Sequence, residues 1–183
     1  SRTRRSPLLA RRSNQTQVVA YTAVAHALVH AIEFTYPALL LTIEKDFGIT
    51  HLAAGALAQA FAITFGASAL PSGFLVDRLG ARRVLLFAFL GAMVGALLIA
   101  VTPGSYALGV LLALTGLCAG LYHPAGLSLI ARWADQRALA LSYHGVAGNV
   151  GMALAPVTAV SIAALLDWRA AFVFLALLCA VTA

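Results

Sequence analysis

Three ionisable side chains share one face of the first long apolar stretch of the sequence. His26, His30 and Glu33 are spaced by four and then three residues, which places them along one side of an α-helix. An ionisable group inside a membrane helix is costly and almost always faces protein or a water-filled cavity. Imidazoles titrate near neutral pH, so such a stripe can take up and release protons. We predict that these side chains line a central cavity and bind protons or substrate.

Two other interpretations of the stripe stay open. It could be a polar seam that is hydrogen-bonded to neighbouring helices. It could also carry a metal cation, because His-x3-His with a nearby carboxylate is similar to a ligand set. The spacing is not the His-Glu-x-x-His of a zinc protease, since position 27 is Ala. We expect no resident metal or other cofactor, and a metal-cation carrier is kept as an alternative function.

Other polar residues within apolar stretches extend the candidate cavity. They are Tyr36, Gln59, His123, His144 and Asn149. No Ser-His-Asp or zinc-protease spacing occurs at a suitable depth, so we do not expect an enzyme.

Proline and glycine mark predicted bends and close helix contacts. Pro124, beside His123, removes a backbone hydrogen bond and predicts a kink, and Pro156 predicts a second bend. Gly148 and Gly151 predict a close approach of two helices, because small residues let helix backbones meet in lipid.

Long apolar runs must position these groups. The chain is 62% hydrophobic and 10% charged, whereas soluble domains carry about 25% charged residues. Charges and turn residues divide it into six predicted spans, at 17–41, 52–76, 84–101, 106–131, 139–166 and 169–183. The last span is too short to cross a membrane as a helix. We therefore expect a fragment with a six-helix bundle at 17–183 and a truncated last helix.

The basic residues indicate the orientation. Ten of the twelve Lys and Arg residues fall on one side of the predicted spans, and only Lys45 and Arg169 fall on the other. Because Lys and Arg accumulate in cytoplasmic loops, we predict a cytoplasmic N-terminus with a basic arm at 1–16. The arm also has the composition of a targeting segment. Its charges suit anionic lipid, and the confinement of charge to the gaps between spans argues against a nucleic-acid partner.

A basic turn between the second and third spans supports a family resemblance. Its pattern, Gly73-x-Leu75-x-Asp77-Arg78-x-Gly80-x-Arg82, resembles the loop between helices two and three of the major facilitator superfamily. Ala81 departs from the basic residue often found there, and Arg83 supplies a charge. The resemblance implies a cytoplasmic latch formed by Gly73, Asp77, Arg78, Gly80, Arg82 and Arg83.

Longer segments are similar to one branch, the fosmidomycin-resistance-like carriers. They cover residues 30–40, 122–128 and 138–156. Glu33-Phe34 stands where that branch often has Asn-Asp, so the acid is displaced by one position. Ala155 replaces a glycine of the antiporter pattern, and Leu112 lies near the place of an arginine that many proton-linked members carry.

The resemblance implies an all-α membrane protein. Its six transmembrane helices would form the N-terminal half, two inverted three-helix repeats, of a twelve-helix fold that binds substrate between its halves. We predict a secondary active transporter of a small molecule that works by alternating access, with proton-coupled export (antiport) in a bacterial inner membrane. The C-terminal six-helix half would be its missing partner. A non-transporting scaffold or sensor with the same fold is the other alternative. The sequence does not identify the substrate.

Overall fold

Helices make up almost all of the structure, a computed structural model that describes residues 7–183, with side chains from residue 14 onward. The helices are α1 (Pro7–Phe47), α2 (His51–Ala67), α3 (Ala69–Leu79), α4 (Ala81–Ala100), α5 (Ser105–Gly120), α6 (Tyr122–Trp133), α7 (Arg137–Leu165) and α8 (Trp168–Thr182). No strand occurs within this part of the chain. The side chains of residues 1–13, and so all the arginines of the predicted basic arm, lie outside the described residues, and α1 begins within that arm.

The helices map onto the six predicted spans. Four stretches are long and apolar enough to cross a membrane: Asn14–Phe47, Ala81–Ala100, Ser105–Trp133 and Arg137–Leu165. A fifth span arises if α2 and α3, which meet at a bend of 41°, count as one. Helix α8 is apolar but has only 15 residues, whereas a full span needs about 20.

Two helix breaks lie against each other in the bundle. Helix α2 gives way to α3 at Ser68, and α5 gives way to α6 at Leu121. The second break falls where Pro124 lacks the N–H that would bond the carbonyl of Gly120. Ser72 Oγ donates to the carbonyl of Leu121 at 2.7 Å, so a backbone group beside the break is bonded by the neighbouring span. The chain shows no corresponding break at Pro156, through which α7 continues.

The predicted loop of charges between the second and third spans is mostly helical. Helix α3 runs to Leu79 and α4 starts at Ala81, so Gly80 alone separates them. Gly80 has a φ of +84°, a conformation that glycine adopts without a steric penalty. The chain therefore turns within one residue, and each helix extends three residues beyond the predicted span bounds at 76 and 84.

Close packing holds α1 in the middle of the bundle. Helix α1 packs mainly against α7 and also contacts α6, α8 and α2. A Cβ on Gly151 would overlap the backbone of Ala27, so α7 approaches α1 more closely than a larger residue would allow. At the end of α1, Asp46 accepts hydrogen bonds from Trp168 Nε1 and Arg169, both at 3.0 Å. These bonds fix the end of α1 to the start of α8.

Candidate functional site

A chain of hydrogen bonds runs along α1 and ends on α7. Glu33 Oε2 lies 2.8 Å from His30 Nδ1, and His30 Nε2 lies 3.1 Å from His26 Nε2. His26 Nδ1 then lies 2.7 Å from the backbone carbonyl of His144. The His30 and Glu33 side chains are 16% and 32% exposed. The spacing along α1 therefore brings its three predicted residues into direct contact, and α7 supplies the terminal acceptor.

Aromatic rings from α6 and α7 enclose this chain. The ring of His144 stacks on that of His26 with centroids 3.8 Å apart and planes 5° from parallel. His123 stands edge-on to His26, with a centroid distance of 5.3 Å. Tyr122 lies parallel to His26 at 5.8 Å, and its hydroxyl donates to the carbonyl of Thr22 at 2.5 Å. The four histidines thus form one cluster, hereafter the histidine cluster, to which α1, α6 and α7 contribute.

Gly148 is what allows α7 to come so close. A Cβ at this position would lie 2.6 Å from Cε1 of His26 and 2.7 Å from its Nδ1, distances that require the imidazole to move. In an α-helix the carbonyl of residue 144 already accepts from the N–H of residue 148. A carbonyl oxygen has two lone pairs, so it can accept from His26 as well.

The hydrogen-bond partners determine how many protons are held along the chain of hydrogen bonds from Glu33 to the carbonyl of His144. A carbonyl only accepts, so the contact between His26 Nδ1 and His144 O requires a proton on that nitrogen. The contact between His26 and His30 requires one proton, and the contact between His30 and Glu33 requires another. Three contacts need three protons, but two neutral imidazoles and a carboxylate supply two. All three contacts are hydrogen bonds at the same time only when the arrangement holds one additional proton.

Several predicted cavity residues lie away from the histidine cluster. Tyr36 is buried, and its hydroxyl donates to the carbonyl of Ala54 at 2.9 Å, which joins α1 to α2. Gln59 and Asn149 are exposed on α2 and α7. Of the predicted cavity residues, the structure brings together the histidine cluster and Glu33, which bonds His30.

Sequence reasoning missed two aromatic members of the site. The ring of Tyr122 packs against those of His26 and His123, and Phe65 contacts the ring of His123 at a centroid distance of 5.5 Å. An aromatic residue in an apolar run has the signature of ordinary core packing. The position of Tyr122 next to His123 was the one available signal.

The cluster also has a partial resemblance to a metal-binding set. One ring nitrogen each from His26, His30 and His123 lie within 4.8 Å of one another. Zinc binds imidazole nitrogens at about 2.0–2.1 Å, so two ligands of one ion are at most about 4.2 Å apart. The facing nitrogens of His26 and His30 are also engaged with each other. Metal binding would break this hydrogen bond, so the described geometry fits the hydrogen-bonded chain better.

The residues of the predicted latch present their charges outward. Asp77, Arg78, Arg82 and Arg83 are exposed. The guanidinium of Arg78 lies 4.1 Å from the centre of the Phe74 ring, a cation–π contact. Asp77 forms no ion pair with the residues that the structure describes. The space around Gly73 is open.

The sequence profile of the Major Facilitator Superfamily matches residues 22–183. The chain belongs to this family. It is a membrane protein of a transporter family, and the relatives described below are transporters rather than enzymes. The predicted all-α major facilitator fold is confirmed, whereas the fosmidomycin-resistance-like branch stays a prediction.

Two relatives of this chain are a galactonate transporter and a probable galactonate transporter. The chain is 28% identical over 133 residues to the D-galactonate transporter of Escherichia coli O6:H1, which covers 72% of this chain and 31% of that protein. It is 26% identical over 149 residues to the probable L-galactonate transporter of Escherichia coli K12, which covers 75% of this chain and 31% of that protein. The chain thus spans about a third of the length of these relatives.

Solved structures show the same fold. The peptide transporter POT in complex with sulfate superposes with a TM-score of 0.81 at 21% identity, covering 91% of this chain and 36% of that one. A POT family transporter in complex with 5-aminolevulinic acid gives a TM-score of 0.79 at 14% identity, covering 90% of this chain and 36% of that one.

Proposed function

We propose that this chain forms part of a proton-coupled secondary transporter, which moves a small organic solute across the membrane by alternating access. One observation carries the proposal: three contacts in series join Glu33, His30, His26 and the carbonyl of His144. To be hydrogen bonds at the same time, they need one proton more than the neutral imidazoles and the carboxylate supply. The site lies within a fold whose family members bind substrate and coupling ions near the middle of the membrane.

A proton held in this way can be coupled to conformation. The chain of contacts begins on α1 and ends on a different helix, so its proton affinity depends on how the helices are placed. A conformational change that alters proton affinity is in turn driven by proton binding, because the two equilibria are linked. This reciprocity is what a carrier requires to use a proton gradient.

The solute is proposed to be a small hydroxylated organic molecule. The names of the two galactonate-transporter relatives support this class. Export in exchange for protons is the predicted direction, and it rests on the resemblance of the sequence to fosmidomycin-resistance-like carriers.

Cotransport with protons is a second candidate, and one observation favours it for an anionic solute. From residue 14 onward every Lys and Arg lies near a helix end: Lys45, Arg78, Arg82, Arg83, Arg132, Arg137 and Arg169. The additional proton then neutralises the charge of the Glu33 carboxylate, which would otherwise repel a sugar acid. Such a solute would bind together with the proton rather than replace it.

Glu33→Gln tests the coupling in the natural full-length protein reconstituted in proteoliposomes. The amide cannot ionise, so we expect a pH gradient to lose its effect on the accumulation of D-galactonate or of another accepted sugar acid. Exchange of labelled for unlabelled solute without a gradient should persist, which shows that the variant is folded. Glu44→Gln, at the exposed end of the same helix, is the matched control and should keep gradient-driven transport. Undiminished coupling in Glu33→Gln would refute the assignment.

The same vesicles distinguish the alternatives. The sign of the pH change inside the vesicle during solute movement separates exchange from cotransport. Flux of Zn²⁺, measured with an enclosed fluorescent indicator and abolished by His26→Gln, would support the metal-cation carrier instead. Absence of flux for all solutes, together with ligand-independent binding of a partner protein, would support a scaffold or sensor.

A further inference from the structure

The chain of hydrogen bonds that starts at Glu33 on α1 ends at a backbone carbonyl on a different helix, α7. Among the described residues, the carbonyl of His144 is the hydrogen-bond partner of His26 Nδ1. We propose that α7 acts as a one-proton switch: its carbonyl at His144, held against α1 by Gly148, positions His26 so that the chain keeps its additional proton. This inference rests on the proposed function and names the element that would connect proton occupancy to helix movement.

The number of protons that the contacts need in the absence of the His144 carbonyl shows why the switch releases one proton. Without the carbonyl, two contacts remain, from His26 to His30 and from His30 to Glu33. His26 can then carry its single proton on Nε2 and donate it to His30 Nε2, while His30 Nδ1–H donates to the carboxylate of Glu33. Two protons satisfy both contacts. Withdrawal of α7 therefore allows one proton to leave for water without leaving any contact unsatisfied.

The other groups that face His26 cannot replace the carbonyl. From α1 it meets His30 and, through it, Glu33. From α6 it meets His123 edge-on and Tyr122, whose hydroxyl is already bonded to the carbonyl of Thr22. From α7 it meets the ring of His144, which stacks face to face and so directs no nitrogen at His26. Glu33 is the one carboxylate of this group, and it contacts His30 rather than His26.

The ring of His144 and its carbonyl are expected to have separable roles. The ring Nδ1 is buried without a hydrogen-bond partner among the described residues. His144→Phe removes both ring nitrogens, and with them the hydrogen bond of this imidazole to the backbone of Thr22, but it keeps a stacked ring and the backbone carbonyl. The positioning of His26 should therefore survive this substitution and fail in Gly148→Ala, whose methyl group would displace the imidazole.

Nitrogen NMR of the full-length protein, labelled with ¹⁵N-histidine in lipid nanodiscs, tests this directly because it reports which ring nitrogen is protonated. We expect His26 Nδ1 to be protonated in the unsubstituted protein, in His144→Phe and in Gly145→Ala. Gly145 is the matched control, because a Cβ there meets nothing within 4 Å. In Gly148→Ala we expect the proton on Nε2, and a calorimetric or dye titration near neutral pH should find one bound proton fewer per protein molecule.

Two results would overturn the switch. One is an unprotonated His26 Nδ1 in the unsubstituted protein, which decides the matter even where Gly148→Ala does not fold. The other is a folded Gly148→Ala with the original histidine signals and proton count. Both measurements are made without transport. If Glu33→Gln abolishes coupling while Gly148→Ala leaves the signals unchanged, the switch alone fails; if the signals shift but Glu33→Gln keeps its coupling, the proposed function alone fails.

Discussion

Two histidine–glutamate pairs of almost equal length occur among the described residues, and they differ in the exposure of the histidine. His30 and Glu33 lie 2.8 Å apart within the apolar length of α1, and the histidine side chain is 16% exposed. His51 and Glu44 lie 2.9 Å apart at the end of the same helix, where the histidine side chain is 74% exposed. The distance between the partners therefore does not distinguish the two pairs.

The groups that surround each histidine–glutamate pair distinguish the two pairs. His30 has a second contact, to His26, which in turn contacts the backbone of α7. The number of protons that this pair holds therefore depends on groups from two helices. His51 bonds a carboxylate beside the α1–α2 turn, where water can replace either partner and salt screens the charges. The function of a titratable pair in this protein therefore depends on which other groups are bonded to it. A pair can act as a switch only when losing a proton leaves another group unsatisfied.

The largest contrast is expected from removing each histidine. His30→Gln eliminates the group that bonds both His26 and Glu33, so we expect the gradient-driven accumulation of solute to fall by about 10- to 100-fold, in the range of typical coupling free energies. His51→Gln should leave accumulation unchanged, because its contact is exposed and local. Accumulation ratios in proteoliposomes with an imposed pH gradient measure both. Equal losses in the two variants would show that the surroundings do not separate the pairs.

The α1 pair could be found from the sequence, because helical periodicity alone places His26, His30 and Glu33 on one stripe. The apolar spans and the family of the Gly73–Arg83 turn were equally visible, since both depend on residue types in order. These features need no knowledge of which helix meets which. The local chemistry of the site was therefore predictable.

The α7 end of the chain was not predictable, for a physical reason. Its acceptor is a backbone carbonyl, which every residue has, and it reaches His26 only because Gly148 removes the steric barrier between the helices. A glycine in a membrane helix signals close packing without naming the partner. The bend at Ser68 was not predicted, although Pro71 lies three residues after it, just as Pro124 lies three residues after Leu121. Its contact with the break at Leu121 is a tertiary feature.

An intermediate effect is expected at Tyr122 of α6, which packs against His26 beside the His30–Glu33 pair. The hydroxyl of Tyr122 donates to the carbonyl of Thr22 at 2.5 Å, and its ring packs against His26. Tyr122→Phe keeps the ring and removes the hydrogen bond, so the free energy of unfolding should fall by about 1 kcal/mol. Denaturant titration in mixed micelles measures the loss, with Tyr106→Phe, at an exposed tyrosine of α5, as the control. Accumulation should fall less than in His30→Gln; a loss as great would mean that the α6 contact, and not the pair, controls coupling.

The smallest effect is expected at the exposed pair, and a double-mutant cycle measures it. Glu44→Gln, His51→Gln and the combined variant should give a coupling energy of about 0.5 kcal/mol or less, because an exposed ion pair gains little over its hydrated partners. This value should shrink further in 1 M salt, where charges are screened over about 3 Å. The corresponding cycle at Glu33 and His30 should give a larger energy that resists salt, since α6 and α7 exclude water from that histidine. A salt-resistant coupling at Glu44 and His51 would contradict the comparison, because it would show that the exposed pair is held by more than its own contact.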